Sequence, residues 1–324
     1  MKKKRTPLLI GLVVLTGIVV LLGYYALQRR AKAQDADLVK PEDAAMRYRP
    51  SLSYQGESYP LKRNMSTLLL MGTDNFIDDE KQYEGLPYNF NLADFLVVLV
   101  FDHAARTVIP FQICRDTMCE VPVTSGGTQR MQITLAHTYG SGGKDSCENT
   151  RKAVEGLLFE APIDNYLAFT MDTVPYVNDL VGGITVTLED DIPALGPDYV
   201  KGARITLRGA DALRFVRYRD TSLLDDNLRR MAHHRLYLTA FVDAARRASA
   251  EDPDLAARIF HTVEKFINTD LSVENVSTMT DNLNTYTILP AVTADGTYQP
   301  GQDFPEYIVD EASLWGCVRS VFCA

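Results

Sequence analysis

The sequence lacks several patterns that would point directly to a function. It contains no GxxxxGK[ST] phosphate-binding loop, no internal repeat and no low-complexity run. It also lacks a basic excess, because 42 acidic residues outnumber 33 lysines and arginines and leave a formal net charge of −9. Nucleic acid attracts basic proteins, so it is not an expected partner.

Cysteine is scarce, and its spacing fits no zinc site. The five cysteines are Cys114, Cys119, Cys147, Cys317 and Cys323. Outside the cytoplasm some of them could pair, and one would be left over, but spacing alone does not give the connectivity. No local signature of a cysteine nucleophile surrounds them, so we do not expect thiolate chemistry.

A single long apolar run lies near the N-terminus, at residues 8–27, and follows a cluster of lysine and arginine. About 20 apolar residues suffice for a helix to cross a bilayer. A cleaved signal peptide has a shorter apolar region, so the run favours a retained signal anchor. The positive-inside rule then predicts a cytoplasmic tail at residues 1–7 and a single-pass membrane protein with the rest of its chain outside the cell.

The rest of the chain alternates between helical and extended patterns. Residues 28–60 are polar and mixed and are predicted to form an extracytoplasmic stalk. Residues 61–290 are predicted to form the main domain, an α/β fold with a mixed central β-sheet sandwiched by helices. Residues 291–324 are predicted to be a C-terminal extension packed on that domain.

Three short apolar runs place charged residues at a common position. Asp74 follows the first run, Asp94 precedes the second, and Arg115 follows the third. The second and third runs are joined by a segment short enough for a hairpin, so we expect Asp94 to lie beside Arg115. If the first strand runs parallel to the third, Asp74 reaches the same rim. Such a cluster suits a divalent cation and a phosphorylated ligand, although a structural group of ion pairs fits equally well.

A second cationic cluster occurs between residues 217 and 230. Arg217 and Arg219 point to the same face if their segment is extended, and they diverge if it is helical. Arg230 lies near the start of a long predicted helix, where free N–H groups favour an anion. Arginine matches phosphate oxygens two at a time. A solvated charged loop is the alternative interpretation.

Seven short motifs then occur in a fixed order between residues 65 and 245. They are LMGTD at 70–74, AD at 93–94, ICRDT at 113–117, ITLAHTYG at 133–140, PIDNY at 162–166, LVGGITV at 180–186 and LRGADAL…VRYR at 207–219. In this order the chain resembles the LytR–CpsA–Psr family of cell-envelope proteins. The family also has one N-terminal membrane helix and a large extracytoplasmic domain.

The resemblance implies a Mg²⁺-dependent phosphotransferase of Gram-positive bacteria. Such an enzyme takes an anionic glycopolymer, teichoic acid or capsular polysaccharide, from a polyprenyl-pyrophosphate carrier and attaches it to peptidoglycan. Asp74 and Asp94 match the metal-associated acids of the family. Its pyrophosphate-binding arginines match Arg115, Arg217, Arg219 and Arg230, of which Arg115 and Arg230 are also expected to act in catalysis.

The base for the incoming hydroxyl group is less clear, because this chain departs from the family pattern. The family commonly has an acid at the position of Asn227. Asp225 and Asp226 are adjacent, and we predict Asp226 as the catalytic base. Cys114 replaces a usual proline. After Arg230 the family often shows Arg-Gln-Gln, whereas this chain reads His233-His234-Arg235. His233 is either a source of sensitivity to mild acid or a helix-surface residue without a role.

Two alternatives to the transferase stay open at this point. A hydrolase would use the same residues, with water in place of the peptidoglycan hydroxyl. A non-catalytic scaffold or regulator would bind the lipid carrier without turnover. The sequence shows no helix-turn-helix with basic recognition residues, so we do not expect direct binding to DNA.

Overall fold

The computed structural model describes residues 50–74, 91–220, 222–252, 255–272, 275, 278–279, 282–283, 285–302 and 304–324. The strands are β1 Ser51–Tyr54, β2 Glu57–Pro60, β3 Met65–Thr73, β4 Ala93–Asp102, β5 Thr107–Ile113, β6 Met118–Pro122, β7 Thr128–Gln132, β8 Asn165–Thr170, β9 Ile184–Thr187, β10 Arg204–Leu207, β11 Ile267–Thr269, β12 Thr287–Ile288, β13 Gly296–Pro300 and β14 Pro305–Val309. The helices are α1 Leu135–Thr138, α2 Gly143–Leu157, α3 Thr173–Leu180, α4 Gly209–Arg217, α5 Asp226–Glu251, α6 Leu255–Val263 and α7 Glu311–Phe322.

These elements divide into two compact units. The sheet unit contains the described residues of 30–170, 266–272 and 291–324, and the helical unit contains those of 171–265 and 273–290. Together they form the mixed α/β fold that the alternating sequence pattern predicts.

The central strands of the sheet unit lie in the order β11-β8-β3-β4-β5. β3 pairs antiparallel with β4 and parallel with β8, so the sheet is mixed as predicted. Leu68, Leu69 and Val98 to Phe101 are completely buried, which explains why β3 and β4 read as continuous apolar runs instead of alternating ones. Helix α1 packs on β4, and helix α2 packs on β8 and β11 of the same sheet.

The predicted hairpin between the second and third apolar runs is confirmed. β4 and β5 pair antiparallel from Leu96–Ile113 to Asp102–Thr107. Asp102 Oδ1 accepts a hydrogen bond of 2.8 Å from the Ala105 N–H, which closes the turn. β3 therefore runs in the same direction as β5, the condition under which Asp74 reaches the rim that carries Asp94.

The helical unit is built around the long helix α5. β9 and β10 form an antiparallel hairpin, and α5 packs on β9 and on α4. Met231, Tyr237 and Phe241 form the buried stripe of α5. Leu228, in the first turn of the same helix, is 37% exposed and does not belong to this stripe.

The end of the predicted stalk is folded. Residues 51–60 form the β1–β2 hairpin, and its Tyr54 ring stacks on Trp315 of α7 with 4.6 Å between ring centroids. The polar composition of this segment had suggested a stalk. The hairpin can pack without an alternating apolar pattern because its aromatic side chains make the contact with α7. The rest of residues 28–60, up to residue 49, lies outside the described residues.

The C-terminal segment is a packed element of the sheet unit. β13 and β14 form an antiparallel hairpin, and α7 buries Leu314, Val318 and Phe322. Among the described residues, no helix has the length and apolar composition needed to cross a membrane. The predicted cytoplasmic tail and membrane anchor, residues 1–7 and 8–27, lie outside the described residues.

Candidate functional site

Asp74, Asp94 and Arg115 lie at one rim of the central sheet. Thr73 pairs with Ala93 across β3 and β4, and the next residue, Asp74, donates its N–H to Leu92 O at 3.1 Å. Gly72 allows the two strands to approach here, since a Cβ added to it would lie 2.9 Å from Phe95 Cβ. The sheet register therefore brings both carboxylates to the rim, as the sequence predicted.

Asp94 and Arg115 form a buried ion pair. Arg115 Nη1 donates to Asp94 Oδ1, and both residues are only 9% exposed. The predicted juxtaposition is confirmed. A buried arginine that is held by one carboxylate keeps its remaining N–H groups available to a second anion, which is the arrangement a phosphate site needs.

The main chain around Arg115 is fixed by neighbouring loops. Arg115 O accepts from Thr134 N–H at 3.0 Å, and Thr134 O accepts from Ala93 N–H at 3.2 Å. Thr134 belongs to the ITLAHTYG motif, so that motif links the ends of β4 and β5. Its side-chain Oγ1 is buried and has no hydrogen-bond partner among the described residues.

Asp116, the residue after Arg115, is held from two directions. Its Oδ2 accepts from the Tyr298 hydroxyl at 2.9 Å, and its backbone carbonyl accepts from Tyr307 N–H at 2.9 Å. Its Oδ1 lies 3.3 Å from Arg115 Nε. Sequence reasoning missed Tyr298 and Tyr307, because they lie in the C-terminal segment that had been set apart from the domain.

In the helical unit, Asp226 binds two residues of the loop between α4 and α5. Its Oδ2 accepts from Arg219 Nε at 3.0 Å, and its Oδ1 accepts from Asp220 N–H at 2.6 Å. Asp226 is 2% exposed, whereas Arg219 is exposed. Asp226 therefore holds the guanidinium of Arg219 at the surface, and its predicted role as a base stays a prediction.

Arg217 is the last residue of α4, and the chain leaves the helix at Tyr218, whose φ and ψ are −57° and 132°. The segment 217–219 is therefore neither wholly helical nor wholly extended. Arg217 and Arg219 are both exposed.

Arg230 is buried in the first turns of α5, where it binds the neutral amide of Asn227. Its Nε and Nη2 donate to Asn227 Oδ1 at 3.1 and 2.7 Å, and the two residues are 3% and 2% exposed. Asn227 occupies the position where the resemblance leads one to expect an acid. The amide orients the guanidinium of Arg230 through two hydrogen bonds and adds no charge of its own.

His233 is not a surface residue, so that interpretation was wrong. It is 3% exposed, its Nε2 lies 3.0 Å from Asp190 Oδ1, and its ring lies 5.2 Å from that of Phe215. The opposite Asp190 oxygen accepts from Arg229 Nε and Nη2 at 3.1 and 2.7 Å. Burial raises the pKa of Asp190, but the hydrogen bonds from His233 and Arg229 outweigh it and hold that pKa below its usual value. Asp190 lies just after β9, in the connection to β10, and its partners Arg229 and His233 are both on α5.

The cysteines are free, and the buried ones are not nucleophiles. Cys147 Sγ lies 3.9 Å from His137 Nε2, which resembles a catalytic pair. However, burial raises the pKa of the Cys147 thiol to about 12 and lowers that of His137 to about 4. Neither group carries the charge that a thiolate–imidazolium pair requires.

The rim carries carboxylates of the type that bind Mg²⁺ together with the phosphates of a substrate. Among the described residues, no three His, Cys, Asp or Glu side chains form a complete metal-binding group. Mg²⁺ is commonly bound by one or two carboxylates together with substrate phosphates and water. Asp74 and Asp94 at one rim, with Arg115 beside Asp94, provide such a partial set.

Comparison with known proteins assigns a family and a fold. The model of the LytR_cpsA_psr family matches residues 23–303. A polyisoprenyl-teichoic acid–peptidoglycan teichoic acid transferase, TagU of Bacillus subtilis, is 25% identical over 278 residues, which cover 85% of this chain and 81% of that protein. TagU of Bacillus cereus is 26% identical over 67% of this chain and 64% of its own length.

Solved structures have the same fold. TagT bound to LIIa-WTA superposes with a TM-score of 0.59 at 19% identity, over 80% of this chain and 90% of that one. Crystalline TagU of B. subtilis gives a TM-score of 0.54 at 21% identity, over 80% of this chain and 95% of that one.

Proposed function

Because this chain belongs to the LytR–CpsA–Psr family, we propose that it is a phosphotransferase of the bacterial cell envelope. It moves an anionic glycopolymer, of the teichoic acid or capsular polysaccharide class, from a polyprenyl-pyrophosphate carrier to a hydroxyl group of peptidoglycan. The observation that carries the proposal is the buried Asp94–Arg115 pair at the rim that Asp74 also reaches. The teichoic acid transferases among its relatives support the choice of reaction.

The reaction breaks the phosphoanhydride bond of the pyrophosphate and forms a new phosphate ester bond to peptidoglycan. The peptidoglycan hydroxyl oxygen attacks the phosphorus next to the sugar, the bond from that phosphorus to the bridging oxygen breaks, and polyprenyl phosphate leaves with the bond electrons. Negative charge grows on the bridging and terminal oxygens during this step. Of the four candidate arginines, the buried Arg115 and Arg230 bind and orient these oxygens, and the exposed Arg217 and Arg219 neutralise charge on the carrier.

Asp74 and Asp94 are the residues that would hold Mg²⁺. When bound, the ion supplies charge neutralisation at the pyrophosphate and helps to orient it. Asp94 has a second task, since it fixes the guanidinium of Arg115 by the ion pair described above. The same carboxylate would thus link the metal to the arginine.

Asp226 is our choice for the base that takes the hydroxyl proton, and Asp225 is the alternative. Both Asp226 oxygens are engaged, one by Arg219 and one by the Asp220 N–H. Oδ2 becomes available to a proton once Arg219 turns from Asp226 to a phosphate. Substrate binding would in this way switch on the base.

The test supplies the full chain in detergent with a polyprenyl-pyrophosphate glycan, peptidoglycan fragments and Mg²⁺, and follows the products by mass spectrometry. We expect a glycan–peptidoglycan phosphodiester that disappears in Arg115→Ala and Asp94→Ala. Arg214→Ala is the matched control, because Arg214 is an arginine of α4 that is 53% exposed and pairs with Asp211. It should retain activity.

Two other outcomes would contradict the proposal. Free glycan phosphate, with a competent acceptor present, would identify a hydrolase. Tight binding of the lipid without turnover, unaffected by Mg²⁺, would identify a scaffold.

A further inference from the structure

The C-terminal hairpin β13–β14 contacts the loop that carries Arg115. Thr117 and Tyr307 form a β-bridge, and Tyr307 N–H donates to Asp116 O at 2.9 Å. Gln132 adds a second link, since its Nε2 donates to Pro305 O at 2.7 Å and lies 3.4 Å from Asp116 Oδ1. The hairpin therefore contacts the backbone of the segment that carries Arg115 and Asp116, and it also contacts Gln132, which lies next to the Asp116 side chain.

Tyr298 makes the most directed of these contacts. Its hydroxyl donates to Asp116 Oδ2 at 2.9 Å, and Asp116 Oδ1 lies 3.3 Å from Arg115 Nε. Asp116 is 4% exposed, so water does not compete strongly for its oxygens. Two side-chain contacts, Tyr298 to Asp116 and Asp116 to Arg115, therefore connect the tyrosine to the arginine.

Cys114 completes the chain of hydrogen bonds. Its Sγ lies 3.2 Å from the Tyr298 oxygen. A tyrosine hydroxyl has a single proton, and a carboxylate accepts without donating, so the Tyr298 proton goes to Asp116 and the Cys114 thiol donates to Tyr298. Burial and the neighbouring Cys114 and Asp116 raise the pKa of Tyr298, which therefore keeps this proton throughout the physiological range.

We propose that Tyr298 is a positioning residue for the transferase reaction, acting through Asp116 to hold Arg115 against the pyrophosphate. Two carboxylates flank the guanidinium: Asp94 accepts a hydrogen bond from Nη1, and Asp116 Oδ1 forms an ion pair at 3.3 Å from Nε without the alignment of a hydrogen bond. Asp94 is fixed by the sheet register, whereas Asp116 depends on the hairpin. This assignment rests on the proposed function for its catalytic consequence, but its structural part does not.

The test is a double-mutant cycle with Tyr298→Phe and Asp116→Asn, assayed in the full chain for transfer at saturating lipid. Loss of a hydrogen bond to a charged group should lower kcat about tenfold in Tyr298→Phe, with a smaller change in KM. If Tyr298 works through Asp116, Tyr298→Phe should add little in the Asp116→Asn background.

Tyr307→Phe is the matched control. Tyr307 lies in the same hairpin, its ring contacts that of Tyr298 at 5.0 Å, and its hydroxyl donates to Ala294 O instead of Asp116. Its kcat should stay within about twofold of the wild type. Equal losses in both tyrosine variants, or fully additive losses in the cycle, would overturn the proposal.

Amide hydrogen exchange separates this proposal from the proposed function. Thr117 N–H donates to Cys114 O at 3.1 Å in the turn that carries Arg115. Tyr298→Phe should accelerate exchange of this amide several-fold, and Tyr307→Phe should not. Faster exchange in an enzyme without transferase activity would refute the function and leave the positioning role. Unchanged exchange with normal wild-type activity would refute the positioning role.

Discussion

At the scale of single residues, the neutral partner of Arg230 is open to a direct test. Asn227→Asp should keep the geometry of the two hydrogen bonds and add a negative charge beside the arginine. An anionic lipid then meets less net positive charge, so we expect its Kd to rise about tenfold, equivalent to roughly 1.4 kcal/mol. Titration with a polyprenyl-pyrophosphate glycan measures this change.

Asn227→Ala is the companion variant. This variant removes the Asn227 Oδ1 acceptor from two N–H donors of a buried guanidinium. It should therefore lower the affinity for the lipid and the free energy of unfolding more than Asn227→Asp does. If Asn227→Asp instead raised kcat, position 227 would supply the base, and the assignment of that role to Asp226 would be wrong.

The buried His137 gives a prediction for pH. Burial lowers its pKa from 6.5 to about 4, partly opposed by the contact with Asn91 O. The folded protein keeps the ring neutral, whereas the unfolded chain binds a proton below pH 6.5. Stability is therefore full above pH 6.5 and falls as the pH drops towards 4, by on the order of 3 kcal/mol. Urea unfolding at pH 7.5 and 4.5 measures the difference.

His137→Gln keeps a donor for Asn91 O and removes the titrating ring. Its free energy of unfolding should be lower than that of the wild type at pH 7.5 and should fall less on acidification. An equally steep decline in the variant would mean that other groups cause the loss of stability in acid.

The residue scale also shows what sequence could predict. Asp94 and Arg115 were placed together correctly, because a short hairpin fixes which strand ends are neighbours. The partners of Asp116 were missed, since Tyr298 is 182 residues away and no local pattern encodes a contact at that separation. His233 was assigned a possible surface position because polar residues on a helix usually face water, whereas Asp190 allows this one to be buried.

At the scale of elements, helix α7 closes an aromatic cluster with the β1–β2 hairpin. Trp315 stacks on Tyr54 at 4.6 Å and meets Tyr59 and Phe159 edge-on at 4.8 and 5.2 Å. The Trp315 residue is 6% exposed. Trp315→Ala should cost about 3–5 kcal/mol of unfolding free energy, measured by urea denaturation.

Phe304 is the control for that measurement. It is an aromatic residue of the same C-terminal segment, but it is 68% exposed. Phe304→Ala should change stability by less than about 0.5 kcal/mol. Similar effects of the two substitutions would show that the aromatic cluster does not stabilise α7.

At the scale of elements, composition does not show how the segments that flank the predicted domain pack. Residues 51–60 and 291–324 were separated from the domain by composition and by the extent of the motifs. Both segments instead belong to the sheet unit, and they meet through Trp315. Composition reports how polar a segment is, but a two-stranded hairpin covered by one aromatic residue needs little apolar sequence.

At the scale of the whole molecule, the four arginines that the motifs identify are distributed over both units. The sheet unit contains Arg115, and the helical unit contains Arg217, Arg219 and Arg230. The family resemblance predicts a role in pyrophosphate binding for all four. That resemblance could not reveal which carboxylate each arginine meets, because the pairs Arg115–Asp94 and Arg219–Asp226 depend on the folded geometry.

The proposed reaction also requires the chain to reach a carrier that is dissolved in the membrane. Residues 8–27 contain no charge and are long enough to cross a bilayer, so we expect the full chain to remain in membranes after a high-salt wash and to need detergent for release. Replacing Leu15→Arg and Val19→Arg together should place two charges in the apolar core and release the protein. A protease added outside intact spheroplasts should digest residues 50–324 of the wild type, and protection of this part would mean that the predicted orientation is wrong.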